Sequence, residues 1–399
     1  METDFYRIKR LPPYVIAEVN AMRAAARAEG RDIIDLGMGN PDLPPPQHVI
    51  DKLCEVAQKP DAHGYSQSRG IPGLRRAQAA YYERRFGVEL DPEREVVVTL
   101  GSKEGLATLA TAITAPGDTI LAPNPSYPIH TFGFIIAGAS IRSVPTTPDE
   151  HYWDELEQAM NFTVPRPTIL VVNYPSNPTA EVVDLAFYER LVDWAKFHKV
   201  WVLSDLAYSE LYYDGKPTPS ILQAKGAKDV AVEFTSLSKT FSMAGWRMGF
   251  AVGNPTLIAA LMRVKSYIDY GAFTPIQAAA CAALTGPQDI VEKNRLLYHK
   301  RRDVLVEAFG RAGWDIPAPP ASMFAWAPLP APLRGMGSLE FSKQLLTHAE
   351  VAEAPGVGYG EDGEGYVRIA LVENEQRLRQ AARNVKRYLQ RMGVNSSAA

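Results

Sequence analysis

The sequence has only two cysteines, Cys54 and Cys281, far apart and outside any Cys-x-x-Cys spacing. That excludes a disulfide framework and a thiolate metal site, and no metal is expected. A basic surplus is missing as well: 42 Lys and Arg face 45 Asp and Glu, for a formal net charge of −3. Nucleic-acid binders carry a positive footprint, so no nucleic-acid partner is expected. Uninterrupted apolar runs are also scarce. Residues 119–141, 270–288 and 316–333 lack Asp, Glu, Lys and Arg. The first holds Pro123, Asn124, Pro125, Pro128 and His130, the second Thr274, Pro275, Gln277 and Pro287, and the third six prolines. None reads as a membrane helix. The opening METDFYRIKRLPPY has early acids and no apolar stretch, which predicts no signal peptide. No Gly-x-Gly-x-x-Gly stands between a strand and a helix, which argues against a dinucleotide-dependent oxidoreductase. There is no internal repeat. A soluble cytoplasmic protein with no membrane partner is expected.

What is present is a chain of 399 residues, 46% apolar, 22% charged and 10% aromatic. That is long enough to bury a core without staples, and it allows two or three domains. Residues 14–29 read as a helix stopped by Gly30. From 46 to 290 apolar runs alternate with helical patterns. The runs at 95–100, 118–123, 168–173, 200–205, 230–234 and 248–253 are continuously apolar, which suits strands buried on both faces. Helical segments such as 184–199 fall between them. The pattern predicts an α/β large domain over 46–290, with a mostly parallel sheet between helices. After 290 come a long charged helix, a helix at 338–349, a strand at 365–371 and a final amphipathic helix. These predict a smaller α+β domain over 291–399, joined by 1–45. The last seven residues read as a frayed tail.

The most informative segment is 236–250, Ser-Leu-Ser-Lys-Thr-Phe-Ser-Met-Ala-Gly-Trp-Arg-Met-Gly-Phe. It sets Lys239 between two strand candidates, with Ser236, Ser238 and Arg247 nearby. Desolvation there favours the neutral, nucleophilic amine. Taken alone, the segment also fits an exposed loop lysine.

The segment resembles the lysine signature of class I/II aminotransferases, which use pyridoxal 5′-phosphate. The resemblance runs from Leu36-Gly37-Met38-Gly39-Asn40-Pro41 to Tyr366-Val367-Arg368, with six motifs in the family's order. It implies fold type I of pyridoxal-phosphate enzymes and a covalent link from Lys239 to the cofactor. The cofactor's demands can then be matched in turn. Its phosphate needs donors. The turn Gly101-Ser102-Lys103 precedes a helix and can offer backbone N–H groups, and Ser236 and Arg247 add a hydroxyl and a guanidinium. The same turn is equally read as an ordinary helix start. By resemblance, Tyr65 reaches the phosphate of a neighbouring subunit, which implies a homodimer with active sites at the interface. The ring nitrogen needs a fixed carboxylate, and Asp205 ends a strand at the edge where open α/β sheets bind ligands. Asp205 also reads as a turn cap. Tyr208 and Asn177, in Tyr-Pro-Ser-Asn-Pro-Thr, match the donors to the ring's phenolate oxygen. Tyr127, in Asn-Pro-Ser-Tyr-Pro, matches the aromatic stacked on the ring. Arg368 matches the arginine that grips the substrate's α-carboxylate as a bidentate pair, with Gly39 beside it. Without the family, Arg368 also fits an outward-facing strand residue.

The implied reaction moves an amino group between an L-amino acid and a 2-oxo acid, with Lys239 as proton carrier. Tyr-Ser-Gln-Ser-Arg-Gly-Ile-Pro, Gly-Ser-Lys-Glu-Gly and the late Pro-Gly-Val-Gly-Tyr-Gly run are similar to bacterial alanine (glutamate–pyruvate) aminotransferases. Glutamate as a second substrate needs a donor for its γ-carboxylate, and Arg69 and Lys103 are the candidates. Aspartate and LL-diaminopimelate aminotransferases share most of these motifs, and a β-lyase on this fold shares Lys239, Asp205 and Arg368. A catalytically silent regulator on the fold normally adds a DNA-binding domain, for which the first 13 residues are too short.

Overall fold

The protein is described from a computed structural model covering residues 5–13 and 15–394. In chain order the strands are β1 (Ile34–Asp35), β2 (Val96–Thr99), β3 (Thr119–Asn124), β4 (Ser140–Pro145), β5 (Ile169–Asn173), β6 (Trp201–Asp205), β7 (Ala231–Ser236), β8 (Gly249–Gly253), β9 (Phe324–Pro328), β10 (Val351–Ala352), β11 (Ala354–Pro355) and β12 (Tyr366–Ala370). Seven form one sheet in the order β2-β8-β7-β6-β5-β3-β4. Only β8 runs antiparallel to its neighbours, so the sheet is mostly parallel as expected.

The continuous apolar runs have the predicted cause. Successive side chains of a strand point to opposite faces, and here both faces are covered. Val96 and Val98 join one core while Val97 joins the other; Leu170 and Val172 are likewise separated from Ile169 and Val171. The helix Leu185–His198 covers the first face, and Ser102–Ile113 covers the second. Strand β4 was not expected. Its pattern is largely exposed, because it is an edge strand, and Arg142 and Ser143 disguise it.

A second sheet, β11-β12-β9, is antiparallel. It shares a core with the helices Asp289–Gly310 and Glu375–Arg391. The last helix is capped by the Asn374 side chain, which accepts from the N–H groups of Gln376 and Arg377. Its buried residues, Leu378, Ala381, Ala382, Val385 and Leu389, repeat at helical spacing. The helix Val15–Ala28 packs on Ser338–Ala349 and on β11, in the C-terminal part of the chain. Residue 14 of the predicted helix lies outside the described residues, as do 395–399 of the predicted tail. Val394, just before them, is buried in the second core. Among the described residues no helix is long and apolar enough to cross a membrane.

The large sheet places the site. Parallel β5, β6 and β7 end on Asn173, Asp205 and Ser236, so three polar side chains emerge along one C-terminal edge.

Candidate active site

A cavity of about 270 Å3 lies at that edge. It is closed from the other side by β9, β12 and the segment 37–39, through Phe324, Arg368, Gly37 and Gly39.

Lys239 sits in the four-residue helix Leu237–Thr240 that follows β7. Its Nζ donates to the carbonyl of Gly39. Burial pushes its pKa down from 10.5 to about 7, and the nearby Arg368 and Arg247 guanidinium groups push the same way. Near neutral pH a large fraction of this amine is therefore unprotonated and nucleophilic. The rate at which Lys239 of the cofactor-free protein condenses with an added aldehyde such as pyridoxal should then rise with pH and level off near 7. The growth of visible absorbance measures it, with Lys239→Ala as background. A rate still climbing toward 10.5 would show an ordinary surface lysine.

On one side of Lys239 is a cradle of donors. Gly101 has φ +86°, and a side chain there would run into the Arg247 guanidinium. Across from it, a Cβ on Gly249 would meet the Ser102 nitrogen at 2.7 Å. Only glycines let the two backbones and the arginine approach so closely. Ser236 Oγ accepts from the Ser238 N–H at 3.1 Å. Arg247 donates to the carbonyls of Ala244 and Leu100, at 2.8 and 3.4 Å. Lys103 lines the cavity with Nζ 5.6 Å from the Tyr127 ring centroid.

On the other side is Arg368. It is buried, 7% exposed, with Nη1 donating to Asn177 Oδ1 at 2.9 Å and Nη2 to the Gly37 carbonyl at 2.8 Å. Its guanidinium lies 4.0 Å from the Phe324 ring centroid. Its Nε is buried without a hydrogen-bond partner. Among the described residues no carboxylate lies within ion-pair distance of either Arg368 or Arg247. A buried guanidinium costs free energy unless an anion joins it. That cost applies to Arg368; Arg247 is exposed and offers its cation to the cavity from the solvent side of the 101–103 turn.

Asp205 lines the same cavity. Its Oδ2 is 2.9 Å from His130 Nε2, and its Oδ1 accepts the Ala207 N–H at 3.2 Å. The Asn173 side chain donates to the Asp205 carbonyl at 2.8 Å. Asn177 Nδ2 is 3.5 Å from the Tyr208 hydroxyl, whose pKa burial raises well above 10. Tyr127 is also held protonated, by burial and by the charge of Asp205.

The structure thus brings together Gly39, Gly101, Ser102, Lys103, Tyr127, Asn177, Asp205, Tyr208, Ser236, Ser238, Lys239, Arg247 and Arg368. Tyr65 is not among them in a single chain. It is 89% exposed and lies against Tyr270, ring centroids 4.6 Å apart. Arg69 is a correction: it faces Glu93 at 3.7 Å and borders a different, open hollow. That leaves Lys103 as the one sequence candidate for a side-chain carboxylate that reaches the cavity. His130, fully buried on the helix Ile129–Ala137, was missed. Its signal was weak: a lone histidine three residues after Tyr127, in an apolar helix, reads as core. Phe324, Tyr359 and Ile16, also at the cavity, carry no chemical signal in the sequence.

The donor set fits pyridoxal 5′-phosphate. The cradle at 101–103 with Arg247 could hold a dianionic end, Lys239 an aldehyde and Asp205 a pyridinium. Residues 31–385 match the family described as aminotransferase class I and II. AatC of Rhizobium meliloti (strain 1021) is 63% identical over 386 residues, covering 97% of this chain and 95% of that protein. The glutamate-pyruvate aminotransferase AlaC of Escherichia coli (strain K12) is 54% identical over 385 residues, covering 96% and 93%. An LL-diaminopimelate aminotransferase of Moorella thermoacetica is 44% identical over 383 residues, covering 96% and 97%. The apo-BacF structure from Bacillus subtilis superposes with a TM-score of 0.92 at 37% identity, covering 97% of this chain and 98% of that one.

Proposed function

The chain belongs to the class I and II aminotransferases, enzymes of fold type I that use pyridoxal 5′-phosphate, and on that premise we propose how its residues divide the work and which amino acids it takes. The observation that carries the assignment of roles is one amine of lowered pKa between two guanidinium groups that lack a carboxylate. Arg247, with the 101–103 turn and Ser236, holds the phosphate, and Ser238 lines the wall beside it. Arg368 holds the substrate's α-carboxylate through two parallel donors, beside Gly39. The cofactor, when bound, supplies an aldehyde for the amino group and a protonated ring that withdraws electrons from the substrate's Cα. Asp205 holds that ring's proton, and His130 holds Asp205. Asn177 and Tyr208 donate to the ring oxygen, and Tyr127 covers its face. Lys239 is neutral enough near pH 7 to take the substrate's Cα proton. Arg368 fixes the carboxylate and so decides which Cα bond faces the lysine.

For substrates we propose alanine with pyruvate and glutamate with 2-oxoglutarate. Ile16 and Met38 present apolar surface to the cavity, suited to a methyl group, while Lys103 and Asn20 offer polar ends for a γ-carboxylate. The identity to AlaC supports this pair. The LL-diaminopimelate relative keeps a second reading in view. Initial rates with alanine, aspartate and LL-diaminopimelate against 2-oxoglutarate decide between them. The highest kcat/KM is expected for alanine; a higher value for either diacid overturns the pair and leaves the mechanism standing.

We also propose a homodimer in which Tyr65 completes the partner's cavity. Exposed Tyr65, Tyr267, Ile268 and Tyr270 support a covered surface there. The proposed domains are 46–290 and 1–45 with 291–399. The separate sheets support this division, which the long helix Asp289–Gly310 links.

A further inference from the structure

Lys265, on the helix Pro255–Ile268, is 0% exposed. A buried ammonium needs anionic partners, and this one has two. Its Nζ donates to Asp269 Oδ2 at 2.8 Å and faces both Glu104 oxygens at 3.4 and 3.5 Å. Asp269 is itself fixed, since Oδ1 accepts the Gly271 N–H at 2.7 Å and its carbonyl accepts from Ser68. Glu104 follows Ser102 and Lys103 in the first turn of the helix Ser102–Ile113. Its Oε2 accepts the Leu100 N–H and its Oε1 the Thr108 hydroxyl, each at 2.8 Å. One carboxylate therefore braces the turn at 100–104 from both ends.

That brace has an electrostatic cost. It puts a negative charge next to Lys103, in the turn assigned to a phosphate dianion. Like charges in one helix turn repel, least screened where the site is partly buried. The ammonium of Lys265 faces Glu104 and, shared with Asp269, offsets part of that charge. We propose that Lys265 is a positioning residue for the cofactor's phosphate: it offsets part of the charge of Glu104 and so lets the carboxylate that fixes the turn share that helix turn with a dianion's site. This rests on the reading that residues 101–103 with Arg247 hold the phosphate.

The test titrates cofactor-free protein with pyridoxal 5′-phosphate and with pyridoxal, which lacks the phosphate. The wild type should strongly prefer the phosphorylated ligand; equal affinities there, before any substitution, would overturn the phosphate reading itself. Given that preference, Lys265→Met should lower the ratio of the two affinities at least about tenfold while pyridoxal binding changes little. Lys265→Arg should keep the ratio. In the Lys265→Met background, Glu104→Gln should restore most of it, because the amide keeps an acceptor for Leu100 but carries no charge. A merely structural lysine would weaken both ligands alike, and that result, or a double variant with no recovery, would overturn the proposal. Should Lys265→Met fail to fold, Glu104→Gln alone carries the test. It should raise the ratio above that of the wild type, and an unchanged or lower ratio would overturn the inference.

Discussion

Replacing Lys239 with alanine is expected to lower amino-group transfer by about 10^4-fold or more, since it removes both the nucleophile and the proton carrier. The fold should not suffer. Lys239 is flanked by Arg247 and Arg368, which disfavour its charge, and its removal relieves a repulsion. The melting temperature of the cofactor-free variant should equal or exceed that of the wild type. The pairing of these two results matters. Lost activity with an unchanged melting temperature is chemistry; lost activity with a collapsed fold is packing. Activity within about tenfold of wild type would end the account of this residue.

The second large effect is expected at Arg368. Arg368→Lys keeps the charge but loses the planar fork, so it cannot hold a carboxylate in two parallel hydrogen bonds. It also leaves Asn177 Oδ1 and the Gly37 carbonyl, both now bonded to the guanidinium, without their donors. Losing one of two hydrogen bonds to a charged group costs roughly 1.5–3 kcal/mol, which is about 10- to 150-fold in kcat/KM. The loss should fall on both kcat and KM, because the residue orients Cα as well as binding substrate. Amines without a carboxylate should lose little. Steady-state kinetics on alanine and on such an amine separate the two. An unchanged KM for alanine would move the carboxylate site elsewhere.

Much of this was legible in the sequence because function and burial left separate marks. Two-faced burial made strands such as Ile169–Asn173 and Trp201–Asp205 visible as unbroken apolar runs, and Asp205, ending the second, marked the ligand edge. The 236–250 segment was visible because lysine, serines and arginine seldom crowd between two buried strands. What was not legible follows from the same physics. Strand Ser140–Pro145 lies at the sheet edge, is mostly exposed, and therefore looks like loop. The direction of β8 was hidden too: only the chain between β7 and β8, 237–248, hints that no long crossover helix intervenes. His130 is spent on Asp205 rather than on substrate, and buried partners of that kind have no pattern of their own. Arg69 looked suitable by type and by position in its motif, yet it lies against Glu93. A cation's destination depends on tertiary neighbours that spacing does not encode. Lys265 is the strongest case. Its partners are 161 residues upstream at Glu104 and one helical turn onward at Asp269, and only the folded chain brings them together.

The most direct measurement is the absorbance spectrum of the purified, cofactor-loaded protein as L-alanine is added with no acceptor present. The account predicts that the yellow band disappears and the pyridoxamine phosphate band grows, with one pyruvate formed per site, and that 2-oxoglutarate reverses the change. A yellow band undiminished by L-alanine, with no pyruvate formed, would contradict it; pyruvate and ammonia released over many turnovers from β-chloroalanine, whose chloride leaves from Cβ, would assign elimination to the same lysine.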